Sequence, residues 1–140
     1  MKKTDDEIVE LSKAAEQGSV DALHSVGVCY ENGYGLEKNL PEAVKWFRWA
    51  AEQGNMFAQC NLAICHHFAR GVRKNMTEAA NWYRKAAKQG DAKDMYNLGA
   101  CYFDGTGVKR DEAEAMQWCR KAAEFGHEMA KETLSRLSEE

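Results

Sequence analysis

The chain has 140 residues, of which 44% are hydrophobic and 29% are charged, and its formal net charge is −3. This length and balance predict one folded domain with a buried core, and they disfavour a disordered acidic tail, a basic nucleic-acid-binding protein and a polyanionic partner. The opening segment MKKTDDEIVELS lacks the apolar stretch of a secretory signal, and no later segment supplies the roughly 20 consecutive apolar residues of a membrane span. We therefore expect neither a nucleic-acid partner nor a membrane segment.

An internal repeat organises the whole chain, which aligns on itself without gaps at a period of 36 residues. We number the positions of one repeat as columns 1 to 36. Every column-36 residue is a glycine that follows Ala-Ala-x-x, which is typical of a helix ending in a left-handed glycine. The predicted organisation is a single repeat domain, 1–140, made of a half repeat at 4–18, repeats at 19–54, 55–90 and 91–126, and a capping helix at 127–138.

Each repeat is predicted to contain two helices, A and then B. Helix A follows a cap residue in column 1, which is Ser19, Asn55 or Asp91. Helix B starts at a capping box, with the pairs Asn39 and Glu42, Asn75 and Glu78, Asp111 and Glu114. The half repeat is a lone helix B with Thr4 and Glu7 as its box, and the capping helix is a lone helix A. Polar half repeats prevent further stacking, so we expect a monomer.

The spacing of the repeat also indicates the roles of two columns and of the loop between helices A and B. Tryptophans in column 28 (Trp46, Trp82 and Trp118) are predicted to be mostly buried between repeats. The G-x-G loops between helices A and B predict structural turns, since a phosphate-binding loop needs further residues that are missing here. Arginines in column 30 are expected to stay solvated near the end of helix B, where they complement the helix dipole.

The cysteines indicate a reducing environment. They number five, an odd count, and three of them occupy the same column. Such usage is typical of small buried thiols and not of a disulfide framework, so we expect free thiols and a cytoplasmic protein. The set is Cys29, Cys60, Cys65, Cys101 and Cys119.

The motifs A-x-x-x-L-G-x-x-Y, G-x-G-V and W-[FY]-x-[KW]-A-A-x-Q-G recur from Glu7 to Leu137 and resemble the Sel-one-like repeat family, a relative of tetratricopeptide repeats. The resemblance implies an all-α fold, an α/α superhelical solenoid with three full helix pairs and a half repeat at each end. It also implies a non-enzymatic adaptor or scaffold that binds a protein or peptide. The chain departs from the family pattern at His66, Ala69, Asp94 and Cys119. A cysteine-rich branch of the family has disulfides where this chain has paired alanines, so we expect no such bridges.

The resemblance implies that helix A lines the concave side of the solenoid, with columns 3, 6, 10, 13 and 14 open. These columns are largely polar in the first repeat but apolar and aromatic in the second and third, which is typical of a binding surface. The alternative is a second internal core formed by curvature of the solenoid. The predicted partner-binding residues are His24, Val28, Glu31, Phe57, Cys60, Ile64, His67, Phe68, Lys93, Tyr96 and Phe103. Trp49, on helix B, is either an exposed anchor or a residue stacked on its neighbours.

Two chemical functions are alternatives to binding. A zinc site is suggested by the crowding of cysteine and histidine near Cys60 and His67, but these two alone share a face and His24 is the only evident third ligand. A hydrolase of the β-lactamase or penicillin-binding type, described for the cysteine-rich relatives, would need S-x-x-K, S-D-N and K-T-G motifs that the sequence lacks. A nucleophilic Cys60 beside His67 lacks an orienting acid. We therefore predict no enzyme, no catalytic residues, no metal and no cofactor.

Overall fold

The structure is a computed structural model that describes residues 5–138. All regular secondary structure in this range is α-helical, and none of its helices is both long and apolar enough to cross a membrane. The predicted cap at Thr4 lies outside the described residues. In chain order the helices are α1 (Asp5–Glu16), α2 (Val20–Asn32), α3 (Leu40–Glu52), α4 (Met56–Phe68), α5 (Met76–Lys88), α6 (Ala92–Asp104), α7 (Glu112–Glu124) and α8 (Glu128–Ser138).

The helices are divided between two compact units, Met1–Lys74 and Asn75–Glu140. In the first unit α1 packs on α2, α2 on α3 and α3 on α4. In the second unit α5 packs on α6, α6 on α7 and α7 on α8. Helix A of the repeat thus corresponds to α2, α4, α6 and α8, and helix B to α1, α3, α5 and α7.

The predicted N-caps of α3, α5 and α7 are confirmed. In α3 and α7 the second half of the capping box is replaced, because the N–H of the cap residue donates to a backbone carbonyl. The side chain of Asp111 accepts a hydrogen bond from the N–H of Glu114 at 3.0 Å, as expected. The N–H of Asp111 donates to the carbonyl of Tyr102 at 3.0 Å instead of to Glu114. The Glu114 carboxylate instead accepts from the indole N–H of Trp118 at 3.1 Å. The same glutamate column therefore orients tryptophans as well as starting helices.

The aromatic core lies in column 29 more than in column 28. Phe47 is 0% exposed and Tyr83 is 1% exposed. Of the column-28 tryptophans, Trp82 is buried, while Trp46 and Trp118 are partly exposed. All three are therefore mostly buried, as predicted, but less deeply than the aromatic residues of column 29. The cause is the turn of the helix, because column 29 points at helix A while column 28 lies at the edge of the packed face.

The second glycine of the G-x-G loop is required by a close backbone approach. Gly71 has φ of 76°, and a Cβ atom there would lie 2.5 Å from the carbonyl oxygen of Leu40, at the start of α3. Gly107 has the same conformation against the carbonyl of Met76, at the start of α5. The predicted structural role of these loops is confirmed, because their glycines let a loop pass directly over the beginning of a helix.

Candidate partner-binding surface

We call the side chains in columns 3, 6, 10, 13 and 14 of α2, α4 and α6 the helix-A face. In the first unit its exposed large hydrophobic members are Phe57, at 60%, and Phe68, at 63%, near the two ends of α4. Six predicted residues of this unit are half-buried around them: His24, Val28, Glu31, Cys60, Ile64 and His67. The exposure of Phe57 and Phe68 excludes these two from a second internal core.

His24 supports Phe57 from beneath. Its ring centroid lies 6.0 Å from that of Phe57 and 5.9 Å from that of the buried Phe47. The side-chain amide of Asn61 donates to Nε2 of His24 at 3.0 Å, which leaves the ring proton on Nδ1. Burial lowers the pKa of His24, and the nearby Asp21 carboxylate opposes this shift only in part. His24 is therefore held neutral at pH 7 and presents a flat ring to the exposed phenylalanine.

The other end of α4 is also ordered by side-chain contacts. The rings of His67 and Phe68 are stacked, with centroids 4.2 Å apart and planes 4° apart. Partial burial lowers the pKa of His67, and the positive charge of Lys74 lowers it further. Arg70 pairs with Glu31 of α2 at 3.6 Å. These contacts restrict the side chains before any partner arrives, which reduces the entropy lost on binding.

In the second unit the helix-A face contains exposed Lys93 and half-buried Tyr96 and Phe103. The ring of Tyr96 stacks on His127 with a centroid distance of 4.7 Å. A cavity of about 50 Å³ lies beside Tyr96 and Phe103. Its lining is completed by Gly99, Ala100, Cys119 and Thr133. Neither Cys119 nor Thr133 was predicted from the sequence as part of a site, although Cys119 stood out as a departure from the family pattern.

The residues considered as a zinc site do not converge in the part of the chain that the structure describes. His24, Cys60 and His67 do not bring three ligand atoms within 4.8 Å of one another. Nε2 of His24 faces Asn61 instead. Zinc requires three or four converging protein ligands, so this set does not form a site.

The buried cysteines are poor nucleophiles. Burial raises the pKa of Cys65 to about 11, with a further contribution from the Glu31 carboxylate. Burial likewise raises the pKa of Cys101 and of Cys119. Since the thiolate is the reactive form, these side chains are unreactive near neutral pH. All five cysteines lie in the described range and none forms a disulfide, as predicted.

The column-30 arginines have a role that the sequence did not reveal. Arg84 donates to the hydroxyl of Tyr102 at 2.7 Å, and Arg48 donates to Nε2 of His66 at 2.9 Å. Each bond joins a helix B to the following helix A. His66 departs from the family tyrosine but still supplies an acceptor, which explains why it is tolerated in a buried position. The expectation of solvated arginines is therefore wrong for these two.

Trp49 is exposed and also contacts its neighbour Trp46 in a tilted arrangement of the two rings. Its ring centroid lies 5.6 Å from that of Trp46, and 49% of its surface is accessible. In later repeats this column holds a lysine above the column-28 ring, with Lys85 lying 4.4 Å from the centroid of Trp82. In the first repeat, Trp46 and Trp49 thus form an aromatic contact where Trp82 and Lys85 form a cation–π contact.

The successive helix pairs, the glycine loops and the open helix-A face define a tetratricopeptide-like helical repeat protein. The Sel1 repeat matches residues 11–19, 20–55, 57–91 and 92–127, and the chain belongs to this family. The all-α solenoid class predicted from the sequence is confirmed. Proteins of the family are generally protein-interaction modules, and their all-helical fold is typically non-enzymatic.

Solved structures agree with this assignment. A Sel1 repeat protein from Oxalobacter formigenes is 39% identical, with a TM-score of 0.85 over 90% of this chain and 52% of its own. A protective antigen of uropathogenic Escherichia coli strains with an SLR fold is 37% identical, with a TM-score of 0.87 over 91% of this chain and 27% of its own. The chain thus spans about half and about a quarter of the lengths of these two proteins.

A more distant structure shares the fold alone. Helicobacter pylori cysteine-rich protein B is 23% identical, with a TM-score of 0.69 over 89% of this chain and 94% of its own. No curated protein matches the chain.

Proposed function

We propose that this protein is a non-catalytic adaptor that binds a peptide segment of a partner protein through the helix-A face, which in tetratricopeptide-like folds is the concave one. The observation that carries the proposal is the exposure of Phe57 and Phe68 on α4, at 60% and 63%. Aromatic side chains supply much of the energy of protein interfaces when a partner removes them from water. In this proposal they act as the main anchors in the first unit.

Tyr96 and Phe103 act as the anchors in the second unit. The charged residues set the direction of the bound segment, because Lys93 attracts an acidic residue and Asp104 repels one. Both are exposed, so their charges are available to a partner. His24 acts by supporting Phe57, since its Nε2 is already bonded to Asn61.

The test begins with affinity capture and cross-linking mass spectrometry, which locate the contact on the chain and identify the partner. The affinity of that partner is then measured for Phe68→Ala and for Phe125→Ala. Phe125 is a matched control because it is 54% exposed but lies at the C-cap of α7, outside the helix-A face. We expect Phe68→Ala to weaken binding by about 30-fold, the usual effect of removing an interface hot spot, with Phe125→Ala near neutral.

The opposite result has a clear meaning. If Trp49→Ala abolishes capture while Phe68→Ala and Tyr96→Ala bind as the parent does, the partner uses helix B and the proposal is wrong. Thermal melting of each variant shows whether a loss of binding reflects loss of the fold.

A further inference from the structure

The cavity in the second unit results from one departure from the repeat pattern. In the first repeat the column-29 side chain is Phe47, and its ring covers the helix-A glycine in column 9, with Cδ1 only 2.7 Å from where a Cβ of Gly27 would be. In the third repeat the equivalent residues are Cys119 and Gly99. The nearest atoms to a Cβ at Gly99 are the carbonyl of Ala115, at 3.2 Å, and atoms of α7 near Cys119 at 3.6 Å. The ring is missing, and the cavity of about 50 Å³ lies beside Gly99.

The neighbouring side chains do not fill this space. In the first unit the column-6 residue, His24, contacts Phe47 and is bonded to Asn61 of the next helix A. In the second unit the column-6 residue, Tyr96, stacks instead on His127, which directly precedes the next helix A, α8. The cavity thus borders side chains in columns 6, 10 and 13, which are the columns of the helix-A face.

Two polar side chains of the lining, Thr133 and Cys119, are already hydrogen-bonded to backbone carbonyls. The hydroxyl of Thr133 donates to the carbonyl of Met129 at 2.8 Å, so its methyl group is left to line the space. The thiol of Cys119 donates to the carbonyl of Ala130 at 3.8 Å. A cavity holds a single water at roughly 10–15 Å³, but that water needs two to four polar partners. This lining favours an apolar occupant over water.

We propose that the cavity lined by Tyr96, Gly99, Ala100, Phe103, Cys119 and Thr133 receives an aliphatic side chain of leucine type from the partner protein. This inference rests on the proposed function and names the chemistry of the segment that binds there. The partner's side chain takes the space that the Phe47 ring occupies in the first repeat. Exposed Lys93 lies one helical turn before Tyr96, so an acidic residue beside the leucine is favoured by charge complementarity.

The test uses N-acetyl-leucine N-methylamide as a probe, with the glycine analogue as its control. Binding is followed by NMR shifts of the backbone amides of Gly99, Ala100 and Thr133. We expect saturable shifts with the leucine probe and none with the glycine probe. Cys119→Phe fills the cavity from within, and Ala100→Trp covers its mouth from an exposed position. Each variant should weaken probe binding about tenfold or more, the usual effect of losing one buried aliphatic contact, whereas Cys119→Ala should keep it.

The inference is overturned if the leucine probe shifts these amides no more than the glycine probe does, or equally in the parent and in Cys119→Phe. Circular dichroism reports whether Cys119→Phe folds, and Ala100→Trp decides the matter if it does not. The proposed function is judged separately by Phe68→Ala in the first unit. If the probe binds but neither Phe68→Ala nor Tyr96→Ala changes the affinity for the partner, the cavity is a binding site and the proposed function is wrong. If Phe68→Ala weakens partner binding but the probe does not bind, the proposed function stands and the cavity inference is wrong.

Discussion

Two glycine substitutions in the first unit separate the cost of a left-handed backbone from the cost of a close approach. Gly33 and Gly71 have nearly the same conformation, with φ of 71° and 76°. A Cβ at Gly33 would meet Lys38 Cβ at 3.5 Å, an ordinary contact, whereas a Cβ at Gly71 would lie 2.5 Å from the Leu40 carbonyl. The pair therefore differs mainly in what the added methyl group meets.

The expected magnitudes follow from these contacts. An alanine in the left-handed conformation lowers the free energy of unfolding by about 1–2 kcal/mol. Alanine also restricts the unfolded chain more than glycine does, which offsets this cost by about 0.4–1 kcal/mol. Gly33→Ala should thus destabilise by ~0.5–1 kcal/mol. Gly71→Ala must also displace backbone, which adds about 1–3 kcal/mol and brings its cost to ~2–4 kcal/mol. At roughly 3 °C per kcal/mol, Gly71→Ala should lower the Tm by ~6–12 °C.

The measurement is thermal and urea unfolding of the parent and both variants, followed by circular dichroism. The native Ala69, at φ of 54° in the same column as Gly33, shows that this repeat position accepts a methyl group. Equal destabilisation by Gly33→Ala and Gly71→Ala would show that the close approach to α3 has no energetic weight, and would refute the reasoning.

Three further predictions concern burial and protonation. Trp82→Ala should cost about 3–5 kcal/mol, as for a core aromatic, while the half-buried Trp46 should cost clearly less when changed to alanine; equal urea midpoints would contradict the burial pattern. Because burial lowers the pKa of His24 below its unfolded value of 6.5, its contribution to stability is present above that pH and is lost as the pH falls through the folded-state pKa. The free energy of unfolding should therefore fall less from pH 7 to pH 5 in His24→Gln than in the parent. Urea unfolding at both pH values measures this, and an equal fall in the two proteins would oppose it. Cys60 should react first with a disulfide reagent in the native protein and Cys65, with its pKa of about 11, far more slowly; fewer than five reactive thiols after unfolding would contradict the absence of disulfides.

The repeat period by itself determined the helix count, the helix order and most helix ends. A glycine after Ala-Ala-x-x and a cap residue in a fixed column are local signals, because each satisfies backbone groups within one turn of the helix. The exposed positions of Phe57 and Phe68 also followed from spacing, since residues three and four apart share one helical side. These features depend on short stretches of chain and therefore appear in the sequence.

Contacts between helices were decided only by the tertiary structure. The sequence predicted mostly buried tryptophans in the column of Trp46, but it did not show that the next column, with Phe47, is buried more deeply. The sequence also predicted a solvated Arg84. It could not reveal the hydrogen bond from Arg84 to the hydroxyl of Tyr102, because Tyr102 lies on another helix. The cavity at Cys119 is likewise invisible in a linear pattern, since a small residue leaves a space only when its neighbours do not move in. Periodicity reports which face of a helix is covered, whereas the depth of burial and the empty space between side chains depend on how several helices meet.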